Sequence, residues 1–285
     1  MKENKNAIVT GGAGFIGSHL CERLLLEGYN VVSIDNYFTG KEENHIKGVR
    51  YIKGNTKDIK WMGIKNPDIL YHLGEYSRVE QSFEDVKLVN DYNTQGTFEV
   101  LEYVKDKKCK LIYAGSSTKF GDNGADSSPY AFTKAQNTQL VMNYGEWYNI
   151  DYAITYFYNV YGGREISEGK YATLIALYKE KVRLKENLPV VLPGTQERNF
   201  THIDDIIDGL ILVGEKGKGD GYGIGNNQSY SVIDVAMMFS NYGKVQIDEL
   251  PERKGNRNSG TLITEKTKKL GWKPKKKLLE YIKNG

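Results

Sequence analysis

The stretch from Ser116 to Lys134, SSTKFGDNGADSSPYAFTK, brings a hydroxyl, a phenol and an ammonium together. Tyr130 and Lys134 are four residues apart, so on a helix they stand one turn above each other. Pro129, just before Tyr130, suits the first turn of such a helix. A free phenol ionises near about pH 10, too high for a good base at neutral pH, but a neighbouring ammonium favours the phenolate. A tyrosine placed in this way can take the proton of an alcohol. Ser116, at the end of the apolar run KLIYAGS, can hold that hydroxyl and share its proton. The carbinol carbon must also lose a hydride, so the chain has to hold a hydride acceptor.

The N-terminus supplies a place for one. VTGGAGFIGSHL spaces Gly11, Gly14 and Gly17 three residues apart, with Phe15 and Ile16 inside the turn. A strand-like run precedes it and a helical pattern follows, the context in which missing side chains let a backbone approach a pyrophosphate. The helix N-terminus adds unpaired N–H groups and a favourable dipole. Asp35 ends the next strand-like run, VVSID, 18 residues beyond Gly17, with Asn36 after it. A carboxylate there accepts the ribose hydroxyls of an adenosine and repels a 2′-phosphate, which favours NAD over NADP. Lys134 can then bind the nicotinamide ribose, and the cationic ring of NAD+ adds its own pull on the phenol proton. Asp58 and Ile59, after a third strand-like run, are expected at the adenine edge.

These residues need a scaffold. NAIVTGG, NVVSIDN, VRYIKGN, DILYHLG, KLIYAGSS and YAITYFYNVYG read as buried strands. FIGSHLCERLLLEGY, TQGTFEVLEYVKDK and AFTKAQNTQLVMNYGEWYN read as the helices between them. Near-continuous apolar strands alternating with helices predict an α/β fold, a doubly wound parallel sheet covered on both faces. Beyond residue 162 the pattern loosens. NLPVVLPG and GYGIGNN read as short strands and SVIDVAMMFSNYG as a helix. The expected organisation is a dinucleotide-binding Rossmann domain over 1–162, with a segment near 196–225 returning to it, and a smaller α/β substrate lobe over 163–285. With 39% hydrophobic and 26% charged residues the chain is globular rather than disordered. A net charge of +3 gives no field that argues for nucleic acid, and the KPKKK run near the C-terminus is read as an exposed basic segment. Cys21 and Cys109 lack metal-ligand spacing, so no metal is expected, and two thiols suit a reducing compartment. No apolar run approaches the roughly 20 residues of a membrane span and none forms a secretory leader, so a cytoplasmic protein without membrane contact is expected.

The combination resembles the extended short-chain dehydrogenase/reductases, in the sugar-nucleotide epimerase/dehydratase group, over nearly the whole chain. YHLGEYSRVEQS is similar to that family's His-Leu-Ala-Ala loop beside the cofactor, which implies cofactor contact by Leu73 and sugar contact by Tyr76, Ser77 and Arg78. NTQGT puts Asn93 where the family keeps an Asn supporting the active-site helix and its proton relay. YNVYGGR and QERNFTHIDDIIDG place Asn159 and Arg198 near a substrate diphosphate, and PERKGN does the same for Arg253. Arg forks suit a pyrophosphate better than Lys does. The implied substrate is a GDP- or UDP-linked hexose or heptose, and the family's paired helices imply a homodimer through TQGTFEVLEYVKDK and the Tyr130 helix.

The departures from the family carry information. Its 4,6-dehydratases follow the catalytic Ser or Thr with Asp and Glu, whereas Ser116 is followed by Ser117 and Thr118, neither of which is an acid. Elimination of water is therefore disfavoured and oxidation at C4 remains. The segment between Gly121 and Tyr130 is shorter than in epimerases, which leans the expectation towards a 4-dehydrogenase, with a 4-epimerase as the alternative. A non-catalytic cofactor-sensing protein would have no need of Ser116, Tyr130 and Lys134. Glu75 stands where the family has a small or amide residue. A surface or structural carboxylate is the expected reading, against an extra acid or base.

Overall fold

The computed structural model describes residues 4–65, 67–120, 127–252 and 261–284. The chain alternates β1 (Asn6–Thr10), α1 (Phe15–Leu26), β2 (Asn30–Asp35), β3 (Arg50–Lys53) and β4 (Ile69–His72), then α2 (Val86–Val89), α3 (Gly96–Lys107), β5 (Lys110–Ser116), α4 (Pro129–Tyr148) and β6 (Tyr152–Phe157). There follow β7 (Val160–Tyr161), α5 (Leu174–Leu184), β8 (Leu188–Val191), β9 (Glu197–Asn199), β10 (Thr201–His202), α6 (Ile203–Lys216), β11 (Gly219–Ile224), β12 (Ser229–Ser231), α7 (Val232–Gly243), β13 (Ile247–Leu250), α8 (Glu265–Lys269) and α9 (Leu278–Asn284). Seven strands form one parallel sheet in the order β3-β2-β1-β4-β5-β6-β11. The order reverses between β1 and β4, and such a switch point opens a crevice at the carboxyl ends of the strands. The GYGIGNN run, read as a short strand after residue 162, is β11 and completes the central sheet beside β6.

The continuous apolar strands have the physical basis expected for a sheet buried twice. Side chains alternate across a strand. Ala7 and Val9 of β1, Ile69 and Tyr71 of β4 and Ile112 of β5 face α1 and α6. Ile8, Leu70, Leu111 and Tyr113 face α3 and α4 on the other side. Each of the valine, leucine and isoleucine side chains, fully buried, contributes about 1.5–3 kcal/mol. Cys21 packs in the first layer and Cys109 in the second, both buried as free thiols. A third cluster joins α5, α7, β8 and α9 through Ile175, Tyr178, Leu188, Phe239 and Leu278.

The C-terminal GWKP segment is tied back onto α6. The Trp272 indole donates to the Asp205 carbonyl at 2.8 Å, and the Asp205 carboxylate accepts the N–H groups of Lys275 and Lys276 at 3.0 Å each. Among the described residues, no helix is long and apolar enough to cross a membrane.

Candidate active site

The turn between β1 and α1 is built as the glycine spacing demands. Gly11 has φ +74°, and a Cβ on Gly17 would lie 2.1 Å from the Gly11 carbonyl oxygen. Only glycine lets the first turn of α1 close on the end of β1. Gly11, Gly14, Phe15, Ile16, Gly17 and Leu73 line a cavity of about 240 Å³ at the carboxyl edge of the sheet. Asp35 and Asn36 lie in its wall as well. The Asp35 carboxylate accepts the N–H groups of Ala13 at 2.9 Å and Tyr37 at 2.8 Å, which ties it to the glycine turn. Burial raises its pKa, and these two backbone donors pull against that rise. Each carboxylate oxygen keeps a lone pair for a further donor, as ribose hydroxyls require.

The expected adenine-edge pair is displaced. Gly54, Asn55 and Thr56 line the cavity, whereas Asp58 is exposed and Ile59 is fully buried in the core. The reason is local. β3 ends at Lys53, so the chain crosses the sheet edge at 54–56, and the following 3-10 turn at Thr56–Trp61 carries Asp58 outward and Ile59 inward.

At the other end of the cavity stand Tyr130 and Lys134, on α4 as the four-residue spacing predicts. Ser128 caps that helix, accepting the Ala131 N–H at 3.1 Å, and Pro129 occupies its first turn. The Tyr130 hydroxyl donates to Ser116 Oγ at 3.0 Å. Ser116 Oγ also lies 2.8 Å from the Thr118 hydroxyl and accepts the Thr118 N–H at 3.3 Å. The Lys134 ammonium donates to the Ala114 carbonyl and to the Glu75 carboxylate, and sits 4.5 Å from the centre of the Tyr113 ring.

Glu75 is no surface carboxylate. Its side chain is 3% exposed, and besides Lys134 it accepts hydrogen bonds from Thr97 at 2.8 Å, Asn137 at 2.8 Å and Tyr113 at 3.2 Å. Burial disfavours its charge, but Lys134, His72 and the hydrogen bonds from Lys134 and Thr97 prevail, and its pKa is lowered overall. Next to it, His72 is held between the hydroxyls of Thr10 and Thr97, and burial pushes its imidazole down to about 4.

Asn93 touches neither cavity and is a brace. It sits in a π-helical turn, Asn90–Gln95, between α2 and α3. Its side chain accepts the Tyr76 N–H at 2.7 Å and donates to Thr133 at 3.1 Å, and its carbonyl accepts from Asn137 at 2.9 Å. It therefore fastens the loop after β4 to α4.

A second cavity, of about 530 Å³, opens from the first. The two share Phe15, Ser77, Arg78, Gly115, Tyr130 and Phe157 in their walls. Ser117, Asn159 and Arg198 line the second cavity. Arg78 is held by the Tyr171 carbonyl, through Nε at 3.0 Å and Nη2 at 2.6 Å. Tyr76 departs from its expected role. Its ring packs on Phe38 and Tyr171, its hydroxyl donates to Asp85 at 2.8 Å, and it borders the first cavity only. Arg253 and the segment 121–126 lie outside the described residues.

Sequence reasoning missed Glu165. It is the one carboxyl lining the second cavity among the described residues, and burial pushes its pKa up to about 7. Its oxygens accept from the Gly162 N–H at 2.8 Å and the Thr173 hydroxyl at 2.6 Å, so it ties the turn after β7 to the start of α5. No motif announces it. Only the fold brings Gly162 and Thr173 to the same carboxylate.

The profile of the NAD dependent epimerase/dehydratase family matches residues 7–225. The UDP-glucose 4-epimerase of Thermotoga maritima, solved with UDP-glucose, superposes with a TM-score of 0.92 at 26% identity, covering 98% of this chain and 96% of that one. The UDP-glucose 4-epimerase of Thermus thermophilus, solved with NAD, gives a TM-score of 0.90 at 26% identity, covering 98% and 96%. UDP-glucuronic acid decarboxylase 3 of Arabidopsis thaliana is 27% identical, over 98% of this chain and 87% of that protein.

Proposed function

Because the chain belongs to the NAD dependent epimerase/dehydratase family, we propose that it oxidises C4 of a UDP-linked sugar and then reduces the ketone from its other face, as a 4-epimerase. The protein is an NAD-dependent enzyme of nucleotide sugars. The residues of the first cavity fit that cofactor: a cradle that a Cβ on Gly17 would fill, a carboxylate at one end and an ammonium at the other. Bound there, NAD supplies the hydride acceptor.

The observation that carries the reaction is the place of Tyr130, in the wall shared by the two cavities and hydrogen-bonded to Ser116. Ser116 holds the C4 hydroxyl, and Tyr130 takes its proton as the C4 hydride leaves. The Lys134 ammonium stands one helical turn away on the same helix, in the wall of the cofactor cavity. In the return step the hydride goes back to the opposite face of C4 and Tyr130 restores the proton, so cofactor and base end as they began. Arg198 and Asn159, and Arg253 by the family resemblance, hold the diphosphate; Ser117 and Arg78 face the sugar. The two-part organisation read from the sequence belongs to this proposal, with the sugar bound against the part beyond residue 162.

Among the described residues, elimination lacks its acid. Thr118 stands where the dehydratases keep a carboxyl, and its hydroxyl lies against Ser116 Oγ. Glu165 is already spent on Gly162 and Thr173. The two solved 4-epimerases support epimerisation over the net oxidation towards which the short Gly121–Tyr130 segment leans. Incubation with NAD+ and a panel of UDP- and GDP-sugars, read by NMR, tests this. A C4-inverted product without net NADH is expected. Accumulating NADH with a 4-keto product would make the protein a 4-dehydrogenase instead, and a 4-keto-6-deoxy product would mean elimination.

A further inference from the structure

A carboxylate buried against the ammonium of the cofactor site has a cost, and its removal from water must be offset by something it does there. Glu75 sits in the cavity wall and in contact with Lys134, so whatever part of NAD Lys134 serves also feels the charge of Glu75. Two of the three Lys134 N–H bonds go to Glu75 and the Ala114 carbonyl, leaving one for a ribose hydroxyl. The other groups facing Glu75 are neutral: Thr97, Asn137, the Tyr113 phenol, and His72, whose ring stays uncharged above pH 4 or so. Lys134 and Glu75 together therefore present no net charge to the cofactor, where Lys134 alone would present a cation.

We propose that Glu75 is a charge-setting residue of the cofactor site, whose pairing with Lys134 raises the affinity for NAD+ relative to NADH. The two cofactor forms share every group except the nicotinamide ring, which is cationic in NAD+ and neutral in NADH. A lone ammonium beside that ring repels only the oxidised form. Its neutralisation keeps NAD+ as the resting occupant and makes bound NADH the readier donor in the return step. The inference rests on the cofactor alone and stands whichever sugar is oxidised.

The test is the ratio of dissociation constants for NAD+ and NADH, measured by calorimetry on the full chain with thermal melting as a check on folding. Glu75→Ala, and Glu75→Gln beside it, should weaken NAD+ about tenfold relative to NADH, the scale of one unit charge acting across the site. Glu75→Asp keeps the charge and should leave the ratio near that of the unaltered protein. A purely structural brace would weaken both forms alike, so an unchanged ratio in Glu75→Ala overturns the proposal. Should Glu75→Ala not fold, the isosteric Glu75→Gln, read against Glu75→Asp, carries the same test.

Discussion

Gly17→Ala is the sharpest perturbation of the cofactor cradle. The added Cβ would lie 2.1 Å from the Gly11 carbonyl oxygen, 2.8 Å from its carbon and 2.9 Å from Gly12 Cα. All three are backbone atoms at the end of β1, so no side chain can swing aside. Restoring an ordinary contact of about 3.4 Å moves the start of α1 away by roughly 1 Å. Overpacking of this kind costs about 1–3 kcal/mol, and the gain of alanine over glycine within a helix returns about 1 kcal/mol. The net loss of stability is thus modest, at roughly 0–2 kcal/mol. The loss of cofactor affinity is larger, because the N–H groups of the turn are withdrawn from the pyrophosphate. Losing one hydrogen bond to a charged group, worth about 1.5–3 kcal/mol, lowers NAD+ affinity roughly 10- to 100-fold. Gly63→Ala is the control. Gly63 has φ +63° with open space around it, so alanine there costs roughly 1–2 kcal/mol of backbone strain and touches no cofactor residue. Calorimetric titration with NAD+ and thermal melting of both variants separate the effects. Unchanged NAD+ affinity in Gly17→Ala would refute the assignment of this turn to the pyrophosphate.

Four further outcomes are expected. Tyr130→Phe should bind NAD+ normally and lose about 10²–10⁴ in turnover, and turnover at the unaltered rate would remove Tyr130 as the base. Asp35→Ala should weaken NAD+ and narrow its advantage over NADP+, read from the two dissociation constants; an unchanged preference would mean that Asp35 does not select the cofactor. The third concerns pH. Folded His72 takes its proton near pH 4, whereas an unfolded histidine takes it near about 6.5, so the unfolded state holds more protons between these values and stability falls as pH drops through them. That loss amounts to about 3 kcal/mol. Glu165 acts oppositely, since its raised pKa costs stability as pH rises from about 4.5 to about 7. Urea unfolding of Glu165→Gln should therefore show a steeper fall towards pH 4 than the unaltered chain, and adding His72→Gln should flatten it. Fourth, α3 and α4 expose Phe98, Phe132 and Trp147, which suits the expected homodimer. Phe132→Glu should shift the mass in light scattering from two chains to one, and a mass of one chain before substitution would end that proposal.

What the sequence made legible is what is local. The glycine turn, Asp35 and the Tyr130–Lys134 pair each depend on spacings within one strand–turn–helix unit, and the structure keeps those spacings. The doubly wound sheet was legible for a similar reason, because a strand covered on both faces must be apolar at successive positions, as Ala7, Ile8 and Val9 are. The structure differs from expectation where short connections set direction. Asp58 and Ile59 stand outside the cavity wall because the 3-10 helix begins at Thr56 rather than after them. Tyr76 points towards Asp85, since Asn93 fixes its backbone from a different element. The buried pair of Glu75 and Lys134 joins residues 59 apart. Neither neighbourhood in the sequence contains its partner, so a carboxylate following Gly74 gave no sign of what it balances.

The most direct test of C4 oxidation with return of the same hydride uses UDP-sugars deuterated at C4, followed by NMR under turnover with catalytic NAD+. The account predicts a C4-inverted product that keeps the deuterium at C4, with none released to solvent. Inverted product that had lost its deuterium, or products altered elsewhere on the ring with C4 untouched, would contradict it.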